Sequence, residues 1–258
     1  MKQLLVMLLT ASSGFALASP FSAEYTVKVE VDAAKASGSS TTDLAAIKAA
    51  SLLGAVEIGT ISDSGSLRAG AFRLTSTVTG HRIVKLVLSE DTLQIVRTSE
   101  GQIRQGNLVT TRYTDKRGNR DPLVYVADIS KGQYEFRRAG AVTGGARLQY
   151  SNVDIAALPY LFLGRTPPSA PLSVAYTDGR AVRIATFRPR NESLRVGATD
   201  VPTVRLSSVQ RTTSDPLIEI WMRASDGFPL RIRLGLSYQY GAIADQWITQ
   251  LPPAYRPS

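Results

Sequence analysis

Period-two alternation of apolar and polar residues, broken by Gly, Asn, Asp and Pro, constrains the fold of this chain more than any other feature. In Ala23-Glu24-Tyr25-Thr26-Val27-Lys28-Val29-Glu30-Val31, Tyr25, Val27, Val29 and Val31 share one face, and acids, Thr and Lys take the other. That is the pattern of a half-buried strand. Similar runs follow at Ser66 to Val78, Arg82 to Leu88, Thr92 to Arg97, Asn107 to Tyr113, Leu123 to Ala127 and Gln133 to Arg138. Gly80, Gly101, Gly106, Gly118-Asn119 and Gly132 punctuate them as hairpin turns would. A parallel sheet needs long, usually helical crossovers, and few segments qualify. The sequence therefore predicts a mainly β fold: a single curved antiparallel sheet, half-open or closed and barrel-like, with one or two short helices.

The first predicted helix, Asp43 to Leu53, is Ala-rich, starts from Thr42 or Asp43 and stops at Gly54, as capping preferences require. With the small-residue stretch before it, 33–53 reads as a loop-helix insertion. The second, Asn152 to Leu163, is strongly apolar with Asp154 as its cap. Pro159 interrupts it at a cost of about 3 kcal/mol, so the helix is short and plugs or covers the sheet. Gly164 to Pro171, with three prolines, marks a boundary. The runs beyond it (Leu172 to Tyr176, Ala181 to Phe187, Val201 to Val209, Leu217 to Arg223, Leu230 to Leu236) resemble those before it, so 19–258 reads as one β-rich domain.

Met1 to Ala18 carries Lys2, an apolar run from Leu4 and the small-x-small site Ala16-Leu17-Ala18. This is the layout of a cleavable export leader, and it predicts a periplasmic or secreted protein without a transmembrane segment in its mature form. An exported chain with no Cys must be held by packing alone. Thirty Lys and Arg against 21 Asp and Glu give a net charge of +9. In such a compartment that balance suits lipid phosphates and anionic envelope polymers, and it carries no nucleic-acid signature.

The inventory also narrows the chemistry. His81 is the only imidazole and sits in a predicted turn, which leaves no Ser-His-Asp set. Asp63 stands alone in Ile61-Ser62-Asp63-Ser64-Gly65 and no loop has calcium-ligand spacing, so neither metal nor cofactor is expected. Carboxylate pairs converging from distant strands would allow glycoside hydrolysis, with Glu90-Asp91 and Glu219 the residues to inspect. Asn191-Glu192-Ser193 matches a glycosylation triplet that fits this leader poorly.

Arginines and one tryptophan are the polar features that suggest binding. Arg188-Pro189-Arg190 with Arg195, and Arg231-Ile232-Arg233, gather guanidinium forks of the kind that grip phosphate or carboxylate. In Ile218-Glu219-Ile220-Trp221-Met222-Arg223 alternation sets Trp221 between Glu219 and Arg223, away from Ile218, Ile220 and Met222. Such a face either packs beneath another element or lines a cavity. The candidate ligand-binding residues are Tyr160, Phe162, Trp221, Arg223, Arg231 and Arg233.

The order of Asp154-Ile155-Ala156-Ala157-Leu158-Pro159-Tyr160-Leu161-Phe162, Pro171-Leu172, Asp178-Gly179-Arg180, Glu192-Ser193-Leu194-Arg195-Val196-Gly197, Ile218-Glu219-Ile220-Trp221-Met222 and Gly227-Phe228-Pro229-Leu230-Arg231-Ile232 resembles the exported bacterial family catalogued as domain of unknown function 3108. The resemblance is best over 154–234, and Asp226 and Pro229 keep the turn after the Trp-bearing strand. It implies a periplasmic, mostly antiparallel β protein, curved or barrel-like, and supplies no catalytic residue. The expectation is a non-enzymatic carrier of the cell envelope, for a lipid or other amphiphile, with Asp154 to Leu163 as lid and the Trp221 face as wall. Its alternatives are an envelope scaffold that binds anionic polymer or a protein through its basic surface and, third, a carboxylate-based hydrolase.

Overall fold

The computed structural model describes residues 19–32, 52, 54–68, 70–81, 94–212, 215–237 and 241–256. The leader, the strand expected at Arg82 to Leu88, the Glu90-Asp91 pair and nearly all of 33–53 lie outside them. Among the described residues fifteen strands form one sheet: β1 (Ser19–Val31), β2 (Val56–Arg68), β3 (Ala71–Gly80), β4 (Gln94–Arg104), β5 (Asn107–Arg117), β6 (Leu123–Asp128), β7 (Gln133–Arg138), β8 (Ala141–Arg147), β9 (Asn152–Asp154), β10 (Leu172–Thr177), β11 (Val182–Val196), β12 (Thr199–Ser208), β13 (Ile218–Arg223), β14 (Pro229–Ser237) and β15 (Ala242–Ile248).

The sheet order runs β8 to β1, then β15 back to β9. Two meanders are thus joined where the first strand meets the last, with Tyr25 opposite Ile248 and Val31 opposite Ala242. Every neighbouring pair is antiparallel except β9 and β10. The edges are β8 and β9, consecutive in sequence, and the sheet curves without closing. β9 comes back against β5 through side chains: the Asp154 amide donates to Thr110 Oγ1 at 2.9 Å, and Thr110 Oγ1 donates to the Asp154 carboxylate at 2.7 Å.

Alternation dictates the inner face. Tyr25, Val27, Phe72, Leu74, Tyr113, Tyr125 and Phe136 point inward from the first meander, and Phe187, Leu206, Ile220, Ile232 and Leu230 from the second; all are buried. Each such side chain contributes about 1.5–3 kcal/mol on leaving water. Gly101, expected in a turn, instead lies inside β4 at a bulge, where a Cβ would sit 2.1 Å from the Val109 carbonyl.

The predicted helix over Asn152 to Leu163 is replaced by β9, a turn and a single 3-10 turn at Leu158–Tyr160. Asp154, expected as the helix cap, instead closes the turn before it, accepting from the amides of Ala156 and Ala157 at 2.9 and 3.0 Å, while the 3-10 turn itself starts at Ala157 without a side-chain cap. Pro159 sits in the first turn, where its missing N–H costs nothing. The segment is buried and plugs one end of the sheet. Phe21, Tyr160 and Phe228 meet there, the first two with ring centroids 4.7 Å apart.

Candidate functional site

The six residues singled out from the sequence fall into four environments. Tyr160 is in the interior, where it donates to Asp63 Oδ2 at 2.7 Å and stands 3.2 Å from the Tyr25 hydroxyl. Tyr25 in turn donates to the Pro229 carbonyl at 2.9 Å. Burial, and then the neighbouring Asp63 charge, push both tyrosines well above their ordinary range. Burial raises Asp63 too, against the hydrogen bonds from Ser76 and Tyr160. Its Oδ1 has no hydrogen-bond partner. Asp63 opens an inner-face row that continues through Ser76, Arg97 and Asp115 on successive strands. Burial opposes ionisation of Asp115, but hydrogen bonds from Arg117 and the charge of Arg97 outweigh it, so the carboxyl is held below its usual range.

Trp221, Arg231 and Arg233 lie on the outer face. Cross-strand register aligns Arg205, Trp221, Arg231 and Trp247 in one row. The Arg231 guanidinium stands 4.5 Å from the Trp221 ring and 4.1 Å from the Trp247 ring, and Arg205 covers Trp221 from the other side at 5.6 Å. Trp221 donates its ring N–H to Glu192 and is only 3 % exposed. The row beside it pairs Arg233 with Glu30, with Glu219 at 3.0 Å and with Asp245 at 3.8 Å; Arg231 bonds Asp245 at 2.6 Å. The Trp221 ring is therefore covered by its neighbours instead of lining any of the cavities found among the described residues. Its face is a stacked, charge-balanced ladder whose cations are spent on acids and rings.

Arg223 serves the turn after β13. It bonds Asp226 through Nε at 2.8 Å and Nη2 at 2.6 Å, and donates to the carbonyls of Pro252 and Pro253, tying down the C-terminal segment. Gly227 beside it adopts φ +68°, and a Cβ there would meet the Phe162 carbonyl at 2.0 Å, so this turn is wedged against the plug.

Phe162 alone among the six lines an open groove of about 1150 Å³ at the seam. The groove exists because pairing stops on both sides. Among the described residues no strand pairs with β5 on this side before Arg112, nor with β10 beside β9 before Ala175. Leu108, Val109, Val153, Leu172 and Val174 make the apolar floor and walls. Tyr150 and Ile184 stand on its lips, 55 % and 56 % exposed. Arg104 lines one end. Beside it Arg165 covers the Phe162 ring at 4.9 Å and donates to the Leu161 carbonyl at 2.6 Å; burial lowers its affinity for the proton. Neither arginine has a carboxylate partner among the described residues.

Sequence reasoning passed over Ile184 and Arg165. The available signal was Val182-Arg183-Ile184-Ala185-Thr186-Phe187, which is apolar on both faces of a strand when one face should meet water. Residues of the wider catalytic inventory are placed as follows. His81 is half-exposed, 3.8 Å from Glu57. Glu219 lies in the outer ladder. No cluster of potential metal ligands occurs among the described residues.

Comparison with protein families finds no match, and comparison with curated proteins finds none. Among solved structures the chain is similar to a beta-barrel-like protein of domain of unknown function DUF1849 from Brucella abortus, with a TM-score of 0.52 at 10 % identity. The match covers 92 % of this chain and 98 % of that one. At that identity the likeness concerns the fold alone: a large, curved, barrel-like β-sheet.

Proposed function

We propose that this protein is a non-enzymatic, exported binding protein of the cell envelope that carries an amphiphile along the seam of its sheet. The observation that carries the reading is the seam groove. It is open to solvent and apolar along its walls, and has exposed Ile184 and Tyr150 at its lips. Ligand sites share this composition: an apolar body with a few polar groups at one end. Arg104 and Arg165 are those groups, and an anionic head is the chemistry they match. The resemblance over 154–234, which includes the plug and two of the groove's strands, is consistent with an exported β protein of this kind.

Apart from Asp63, the buried carboxyls are taken up by structural partners, which favours a non-catalytic reading. Asp154 is committed to Thr110, Ser99 and two backbone amides, Asp115 to arginines, and no acid lines the groove. The basic-surface alternative draws less support, since the Arg231 and Arg233 strand is neutralised by Glu30, Glu219 and Asp245.

Native mass spectrometry of the protein purified from its own envelope, with lipid extraction, tests the proposal. A stoichiometric amphiphile that is lost in Ile184→Glu supports it. A chain that stays empty when offered envelope lipids overturns it.

A further inference from the structure

Arginines also gather at a second place. At the end of the β4–β5 hairpin away from Arg104 lies a cleft of about 130 Å³, lined by Arg117, Arg120, Arg138 and Arg180 together with Asp115 and Asp121. Four guanidiniums thus meet two carboxylates, and Asp115 is already committed. Its Oδ1 accepts from Arg117 Nε at 2.8 Å, and its Oδ2 from Arg117 Nη2 at 2.9 Å and Arg97 Nε at 3.4 Å. Among the described residues the side chains of Arg138 and Arg180 have no hydrogen-bond or ion-pair partner.

The two are delivered from different parts of the chain. Arg138 ends β7, opposite Leu123 on β6. Arg180 belongs to the β10–β11 turn, where Asp178 Oδ1 accepts from the amides of Arg180 and Ala181 at 3.0 and 3.2 Å. Gly179 holds φ +84° in that turn, and a Cβ there would lie 3.2 Å from the Tyr113 ring, so the turn is seated directly on β5. The cations therefore come from three elements fixed by packing, and converge on a space sized for one small anion.

We propose that this cleft is a binding site for a phosphate group. Guanidinium forks arriving from several directions suit a tetrahedral oxyanion, whose oxygens accept in parallel pairs. The volume admits the phosphate and leaves whatever bears it outside. The source is either a free phosphate compound or a lipid headgroup, and the two are separable.

The test is calorimetric titration of the full chain with inorganic phosphate and, separately, with neutral phosphatidylcholine vesicles containing phosphatidic acid. Three proteins are compared: the wild type, Arg138→Gln/Arg180→Gln, and Arg188→Gln/Arg190→Gln, which removes the same charge from exposed positions on β11. Saturable binding by the wild type, weakened at least about tenfold by the first double variant and unchanged by the second, is the expected result. Binding of phosphate assigns a free ligand, and binding of vesicles alone assigns a headgroup. Absence of saturable binding to both probes, or equal loss in the two double variants, overturns the site. Thermal unfolding of each variant verifies that the fold is intact.

Discussion

Across β12 to β15 the charged and aromatic partners lie on the outer face, where Trp221 sits beneath Arg205 and Arg231 and the acids close every pair. Across β2 to β5 they lie on the inner face, where Asp63, Ser76, Arg97 and Asp115 cross the sheet. Both rows follow period-two alternation. The outer one is also sheltered, with Asp245 only 7 % exposed, but each of its carboxylates faces an arginine and stacking adds to the pairing. The inner one takes carboxyls out of water and shifts their proton affinities in opposite directions, depending on whether an arginine stands beside them. A facing arginine, rather than burial alone, is thus the variable that separates a carboxyl held ionised from one pushed towards its protonated form.

Trp221→Ala should have the largest effect, about 4 kcal/mol. It removes the ring that both arginines cover, and urea denaturation would read the loss. A change below about 1 kcal/mol would mean that the ladder is ornamental. Asp154→Ala comes next, at about 2–3 kcal/mol. It unpins edge strand β9 from β5, and accelerated hydrogen exchange confined to Asn152 to Tyr160 would locate the damage.

Asp63→Asn sharpens the contrast through its sign. The folded carboxyl has a raised proton affinity. Its penalty is therefore absent below the ordinary carboxylate range, and grows as pH rises from there towards the raised value. The variant should unfold at an equal or higher temperature than the wild type at neutral pH, and should flatten the fall in melting temperature across that window. A lower melting temperature at neutral pH would place an ionised, productively paired Asp63 in the interior. Arg195→Ala is the control with the smallest effect. Its pair with Asp200 is exposed on both sides, and its removal should change stability by less than about 0.5 kcal/mol.

Strands with a clean apolar face were legible. Gln133 to Arg138 was read to the residue, and Ala23 to Val31, Leu217 to Arg223 and Leu230 to Leu236 nearly so. Four strands were not, among them β9, whose residues Asn152 to Asp154 were read as the start of a helix. The residues of β2 up to Gly65 drew no strand assignment because the inner face at Asp63 is polar, and the run read as one strand from Ser66 to Val78 is the end of β2 and most of β3 around a turn at Gly70. Every residue of β8 is exposed, so no burial pattern marks it. β15 buries Asp245 and Gln246 and is identified by its partner β1, which sits at the other end of the chain. The groove was illegible for a related reason. It is defined by where pairing stops on β5 and β10, and a stop in pairing leaves no periodic trace. Phe162 was found through its apolar segment, whereas Arg231 and Arg233 drew attention by proximity in sequence, the same proximity that let Asp245 and Glu219 neutralise them.

The junction of β1 with β15 has a kinetic consequence. The Glu24 carbonyl accepts from Thr249, 225 positions later, so the strand made first waits for one of the last before the sheet can be zipped. Non-local pairing of this kind makes folding slow and keeps the partly made chain open. Under the export proposed above, that delay is useful, since the final hydrogen bonds form only after the β15 strand has followed the rest of the chain.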